Sequence, residues 1–153
     1  MNRVILLVCA CASISLTATA QSAEDSVKAV ITRMFAAMKS GDRAVLQTVF
    51  ADSAQLQSIA RSPEGKTIVR NESVRDFIEH IGKLTTGAVD ERIKFESVKV
   101  EGSLASVWTP YTFYFNGQFS HCGVNSFQMV RMDNTWKVQY IIDTRRKEGC
   151  VTD

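Results

Sequence analysis

The sequence predicts an α+β domain in which three short amphipathic helices accompany a curved antiparallel or mixed sheet. Between residues 27 and 38, apolar residues recur at the spacing i, i+3, i+4, i+7 that is typical of one helix face. After residue 89 they alternate instead, and the dipeptides Asn116-Gly117 and Asp133-Asn134 mark tight turns between long β-branched and aromatic runs. A chain of 153 residues, 45% hydrophobic, has room for one core of ordinary size.

Three helices are expected, each with its own signals for where it starts and ends. The first has an apolar stripe of six residues, which we expect to lie in the core: Val27, Val30, Ile31, Met34, Phe35 and Met38. Gly41 suits a left-handed cap at its end, and Asp42 suits the first position of a second helix. Asn71 or Ser73 can cap a third. The second and third stripes comprise Val45, Leu46, Val49 and Phe50, and Val74, Phe77, Ile78 and Ile81.

The strands follow from alternation and turn chemistry. Residues 54–61 and 66–70 are predicted to pair as a hairpin around the turn at 62–65. Alternation from Ile93 to Val100 slips by one residue near Glu96, which predicts a β-bulge. The remaining predicted strands are Leu104–Phe115, Gln118–Met132 and residues 135–144.

Residues 1–20 have the features of a secretory signal peptide. Arg3 precedes a short apolar run, and residues 18–20 (Ala-Thr-Ala) match the small-x-small cleavage pattern. Cys9 or Cys11 could instead mark a lipoprotein signal, but Val8 stands before Cys9 where a small residue is needed, and Cys11 would leave too short an apolar run. We therefore expect a periplasmic or secreted single domain spanning residues 21–153, with no membrane association after cleavage.

Export would leave two cysteines in an oxidising compartment. Cys122 and Cys150 are then an even pair, and Cys150 stands where a disulfide would hold the end of the chain. We predict a disulfide between them, the alternative being two unrelated thiols. No Cys or His spacing typical of a zinc site accompanies them in the sequence.

Charge and motifs exclude several classes of function. The formal net charge is +2, and residues 145–147 (Arg-Arg-Lys) form the one basic run, so neither nucleic acid nor an anionic membrane is an expected partner. The sequence has no phosphate-binding glycine loop, no metal-ligand spacing and no catalytic serine motif. No cofactor and no metal are predicted.

Two segments carry a resemblance to a known family. The segment from Trp108 to Asn125 (WTPYTFYFNGQFSHCGVN) and the tail from Trp136 to Cys150 resemble the nuclear-transport-factor-2-like (SnoaL-like) superfamily, and within it the group described as "putative lumazine-binding". The resemblance covers residues 21–153. It implies a cone-shaped sheet wrapped around three N-terminal helices, a pocket for a small-molecule ligand, and homodimers that form through the convex face.

The two tight turns predict which side chains share a face, because turn position fixes strand register. Counting from Asn116-Gly117 pairs Tyr114 with Phe119 and Thr112 with His121, and counting from Asp133-Asn134 pairs Met129 with Val138. The predicted pocket residues are Trp108, Thr112, Tyr114, His121, Asn125 and Tyr140. The predicted convex face includes Val107, Tyr111, Phe113, Cys122, Val124, Ile141, Asp143 and Arg145. A bulge would exchange these assignments, and that alternative stays open.

Two functions fit this arrangement. The first is an exported binding or accessory domain that holds a small flat molecule between aromatic side chains. The second is a cofactor-independent hydratase, isomerase or hydrolase with His121 as general base. The predicted pocket face offers His121 no carboxylate, since Asp143 is expected to point away and to pair with Arg145, and His80 is expected at the surface. A carboxylate near His121 inside a deep pocket would favour the enzyme.

Overall fold

The structure, a computed structural model, describes residues 22–150, which form three helices and one seven-stranded sheet. The predicted signal peptide at residues 1–20 lies outside the described residues. In chain order the elements are α1 (Ala23–Ser40), α2 (Arg43–Val49), β1 (Phe50–Arg61), β2 (Thr67–Glu72), α3 (Val74–Ile81), β3 (Val89–Ile93), β4 (Ser97–Glu101), β5 (Leu104–Phe115), β6 (Gln118–Met132) and β7 (Thr135–Arg146).

The helix ends match the predicted capping signals. Gly41 closes α1 with a φ of 75°, a conformation that glycine adopts without strain. The side chains of Asp42 and Ser73 accept hydrogen bonds of 3.0 Å from backbone N–H groups in the first turns of α2 and α3. Phe50, which was expected to end the second helix, begins β1 instead.

The sheet is mixed, as the α+β prediction allowed. Its order is β2-β1-β7-β6-β5-β3, and β4 also pairs with β5. The pair β1–β7 is parallel and the other pairs are antiparallel. The long strands β5, β6 and β7 are neighbours in this sheet.

The slip predicted near Glu96 is a break between two strands. β3 pairs with residues 111–115 of β5, and β4 with residues 104–108 of the same strand. Pro110 stands opposite the gap, where its carbonyl accepts from the backbone N–H of Lys94 at 2.9 Å. The carbonyl and the nitrogen of a strand residue face the same edge, and proline has no N–H to donate there, so the ladder is interrupted at this point.

Two one-residue bulges set the register of the central strands. Tyr114 pairs with Phe119 as predicted, but the next pair is Phe113 with His121, which leaves Ser120 without a partner. Met129 pairs with Val138 as predicted, but Gln128 pairs with Tyr140, which leaves Gln139 as the extra residue. A shift of one residue turns a strand's side chains to the other face. Beyond each bulge, the predicted faces of β5 and β7 are therefore wrong.

The core defines the two faces of the sheet. Ala105, Val107, Phe127, Met129 and Val138 lie on one face, all at 1% exposure or less, and form one apolar cluster with helix residues. The ring of Phe35 in α1 packs edge-on against Phe127, 6.2 Å between centroids. We call this the inner face and the opposite one the outer face.

The predicted disulfide between Cys122 and Cys150 is confirmed, with 5.8 Å between the Cα atoms. Cys122 is buried on the outer face, where it pairs with Arg146 of β7. Among residues 22–150, no helix is long and apolar enough to cross a membrane.

We expect the disulfide to contribute about 3 to 4 kcal/mol to folding, because it closes a loop of 28 residues in the unfolded chain. Urea denaturation of the wild type, the reduced wild type and Cys150→Ser measures this. The variant and the reduced protein should lose similar free energy, and Cys122→Ser/Cys150→Ser should lose no more. If the oxidised and reduced proteins unfold at the same denaturant concentration, the disulfide has no stabilising role.

Candidate functional site

A cavity of about 480 Å³ lies between the inner face and the helices. Its apolar wall comprises Met34, Phe35, Met38, Phe50, Leu56, Phe77, Ile81, Val89, Phe113, Phe115, Phe127 and Ile141. Its polar lining comprises Gln57, Ser58, Glu72, His80, Glu91, Tyr111, Ser120, His121, Asn125, Asp143 and Arg145. An apolar wall with a few convergent polar groups is the usual form of a small-molecule site.

One cross-strand row supplies the buried polar groups of the sheet. Thr109, Asn125 and Asp143 are successive partners on β5, β6 and β7, and they are the buried polar or charged residues of the described chain. Ser58 of β1 pairs with Asp143 and continues the row. Among the described residues, the Thr109 hydroxyl is the one fully buried side-chain polar atom without a hydrogen-bond partner.

Asp143 is held by three donors. Ser58 donates from its hydroxyl to Oδ1, while the Tyr111 hydroxyl and Arg145 Nε lie 3.2 Å and 2.8 Å from Oδ2. Arg145 also donates to the Ser58 hydroxyl at 2.9 Å. Because a buried carboxylate is costly unless it is paired and hydrogen-bonded, this network explains how Asp143 is tolerated at 8% exposure.

Gly123 makes room for the tyrosine in this network. The backbone of Tyr111 belongs to β5, but its hydroxyl hydrogen-bonds Asp143 and the Thr144 carbonyl on β7. The ring therefore crosses β6 at Gly123, the residue paired with Tyr111. A Cβ on Gly123 would stand 1.8 Å from the Thr144 carbonyl oxygen and 2.9 Å from the Tyr111 ring. Glycine is therefore required here by close approach.

Glu91 and Asn125 form a second polar pair. Glu91 lies on β3 opposite Phe113, and its Oε1 accepts from Asn125 Nδ2 at 2.8 Å. Burial, and after it the negative charge of Asp143, raises the pKa of Glu91 to about 7, although the Asn125 hydrogen bond acts the other way. A carboxyl group that is partly protonated at neutral pH can both donate and accept a proton.

His121 lies at the edge of the same cavity. Its Nδ1 is 3.0 Å from the Ser120 hydroxyl. Its ring stacks on the Phe113 ring with 4.9 Å between centroids, and it packs edge-on against the Tyr111 ring with 5.7 Å between centroids. Burial, followed by the positive charge of Arg145, lowers the pKa of His121, so the neutral imidazole is favoured.

The structure brings together two of the six predicted pocket residues. His121 and Asn125 line the cavity. The other four lie on the outer face because of the bulges: Trp108, Thr112, Tyr114 and Tyr140. Tyr114 there contacts Phe119 and the guanidinium of Arg92, and the Tyr140 hydroxyl donates to Gln57.

Several residues expected on the convex face lie on the inner face instead. Tyr111, Phe113, Ile141, Asp143 and Arg145 all line the cavity, so the expectation of a pocket face without a carboxylate is wrong. The expected ion pair between Asp143 and Arg145 is present, and the Asp143 side chain is nearly buried while that of Arg145 is exposed. His80 also lines the cavity, although the residue is largely exposed as expected.

Glu91 was missed by the sequence interpretation. It lies before the first apolar residue of the predicted alternation, Ile93, and in a stretch with Asp90 and Arg92 it looks like any solvated charge. The available signal was its spacing two residues before Ile93, which places both on one face of a strand. Within residues 22–150, no group of three or more His, Cys, Asp or Glu side chains is arranged to hold a metal ion.

Comparisons with known proteins identify the family and the fold that this chain resembles. The sequence model of the family described as "Putative lumazine-binding" matches residues 22–140. No protein with a curated description matches significantly. Among solved structures, a nuclear-transport-factor-2-like protein of unknown function from Shewanella baltica has a TM-score of 0.62 at 11% identity, over 80% of this chain and 93% of that one.

Two further solved structures have a similar fold. A nuclear-transport-factor-2-like protein of unknown function from Silicibacter pomeroyi gives a TM-score of 0.61 at 19% identity, over 79% of this chain and 93% of its own. A protein of unknown function with a cystatin-like fold from Nostoc punctiforme gives 0.63 at 10% identity, over 83% and 95%. At these identities the likeness concerns the fold alone.

We expect Gly123→Ala to destabilise the protein by about 2 kcal/mol or more, because the added methyl meets a backbone oxygen that cannot move without disrupting the ladder. Gly82→Ala is the matched control. Its Cβ would come within 2.1 Å of Arg43, but that neighbour is a flexible side chain. Denaturant unfolding of both variants measures the difference, and equal stability would contradict the close approach at Gly123.

We expect Glu91→Gln to change how stability depends on pH. A pKa raised from 4.5 to about 7 means that the folded state holds this proton more tightly, so wild-type stability falls as pH rises from about 4.5 to 7. The loss should be at most about 3 kcal/mol, reduced by any water in the cavity. Glu91→Gln should remove this slope, and Glu101→Gln, at an exposed strand end, should keep it. Parallel profiles for wild type and Glu91→Gln would contradict the raised pKa.

Proposed function

The chain belongs to the "putative lumazine-binding" family, and on that premise we propose that it is an exported domain that binds a small, flat, largely apolar molecule in the cavity. The observation that carries the proposal is the cavity itself, about 480 Å³ with an aromatic and aliphatic wall and a polar cluster on its lining. This volume lies in the range of small-molecule sites. We propose that the described elements belong to one cone-shaped domain spanning residues 21–153.

The disulfide supports export. Disulfides persist in oxidising compartments, and the Cys122–Cys150 bond joins cysteines that follow the proposed signal peptide at residues 1–20. The proposed location is the periplasm or the extracellular medium. Ligand identity is proposed only as a class, because a fold of this kind hosts many functions.

A homodimer through the outer face is part of the proposal. Leu104, Trp108 and Met132 lie on that face at 45 to 51% exposure. Exposed apolar side chains that share a face favour burial against a partner. These three residues differ from the apolar residues that the sequence predicted on the convex face. Of those, Val107, Tyr111 and Ile141 lie on the inner face.

A second candidate function is a cofactor-independent hydratase, isomerase or hydrolase. It is favoured by the carboxyl groups of Glu91 and Asp143, which with Glu72 line the same cavity as His121. Glu91 is better suited than His121 as the general base, since its pKa is near neutrality and its carboxyl group has one hydrogen bond.

Native mass spectrometry of protein purified from its own host's periplasm tests the binding proposal. We expect a retained small molecule on the wild type and on Ile142→Trp, and none on Ile141→Trp, because the indole fills the cavity only from Ile141. Circular dichroism checks that both variants fold. A wild type without a retained mass, or equal retention by both variants, would contradict the proposal, and the same spectra report the subunit count.

A further inference from the structure

Asp143 and Arg145, the ion pair on the cavity lining, compensate each other without a ligand. Both Asp143 oxygens are occupied, by Ser58 on one side and by Tyr111 and Arg145 on the other. Arg145 also donates from Nη2 to the Ser58 hydroxyl at 2.9 Å. The pair is therefore neutral in sum and its carboxylate is fully hydrogen-bonded, so it creates no demand for a charged ligand.

Glu91 and Asn125 differ in having hydrogen-bonding capacity left over. Among the described residues, each side chain makes one hydrogen bond, which is the bond to the other. Glu91 Oε1 accepts in that bond, so in the neutral acid the proton belongs on Oε2, which can donate. Asn125 keeps its carbonyl oxygen as an acceptor and a second N–H. Both residues line the cavity.

We propose that Glu91 and Asn125 recognise the lactam edge of a flat heterocycle, a ring N–H beside a ring C=O. The ring C=O accepts from the Glu91 carboxyl and the ring N–H donates to the Asn125 carbonyl. Each polar group then has a partner, which a buried site requires. This inference rests on the proposed function, since it names the ligand class of the same cavity.

The rest of the cavity suits the body of such a ring. Phe113 and Phe127 supply aromatic surface on the same wall as Asn125, and Met34 and Met38 of α1 line the cavity as well. Aromatic and thioether side chains pack well against a flat ring. A cation inside the cavity would need Glu91 ionised, because the Asp143–Arg145 pair offers no net charge and the neutral form of His121 is favoured. The third carboxyl group of the lining, Glu72, is exposed to solvent.

Binding of three bicyclic probes at pH 6, measured by calorimetry, tests the inference. Lumazine has lactam N–H groups, 1,3-dimethyllumazine has methyl groups in their place, and 1-naphthylmethylamine is a flat cation. We expect lumazine to bind at least about tenfold more tightly than 1,3-dimethyllumazine, because the methylated ring leaves Asn125 unpaired. Glu91→Gln should keep the affinity for lumazine, since an amide also donates to the ring C=O, and Glu91→Leu should weaken lumazine and 1,3-dimethyllumazine alike. Asn125→Leu should lose the preference for lumazine over 1,3-dimethyllumazine.

The outcomes separate this inference from the proposed function. Equal binding of lumazine and 1,3-dimethyllumazine overturns the lactam inference but leaves a cavity that binds flat rings. A preference for 1-naphthylmethylamine that grows from pH 6 to pH 8 overturns it in favour of a cation site. Binding of none of the three probes overturns the inference, and absence of a retained mass in the native spectra then counts against the proposed function itself.

Discussion

Two extra residues, Ser120 in β6 and Gln139 in β7, determine the chemistry of the cavity. Each shifts the register by one position, and the period of a strand is two, so each exchanges the side chains that face inward. With these bulges, Tyr111 and Asp143 stand on the inner face, and Trp108 and Tyr140 do not. Without them the cavity would have a largely aromatic lining and no carboxylate from the central strands.

The polar lining is held in place by packing and by paired hydrogen bonds. Gly123 lets the Tyr111 ring cross β6, and the hydroxyl then fixes Asp143 on the next strand. Asp143 in turn orients Arg145, and burial together with the negative charge of Asp143 raises the pKa of Glu91. The cavity therefore combines an ion pair whose charges compensate each other with a carboxyl–carboxamide pair that has unused hydrogen-bonding groups. A ligand in the cavity has to hydrogen-bond with this second pair.

Local sequence signals predicted the helices, their caps, the tight turns and the disulfide, because each depends on a few neighbouring residues. Gly41, Asp42 and Ser73 act as expected, and Tyr114 meets Phe119 across the turn as counted. Only a third of the predicted pocket residues were right, since His121 and Asn125 line the cavity and the other four do not. A bulge depends on how three strands fit together, and a half-buried glutamate depends on its neighbours in space, so neither leaves a clear local signal.

Cross-strand nuclear Overhauser effects in the folded protein test the central claim, the register of β5, β6 and β7, most directly. The account predicts backbone contacts that pair His121 with Phe113, Asn125 with Thr109, and Phe127 with Ile141. Contacts that pair His121 with Thr112, Asn125 with Trp108 and Phe127 with Tyr140 would contradict it, because they would return the aromatic residues to the inner face and remove Asp143 from the cavity.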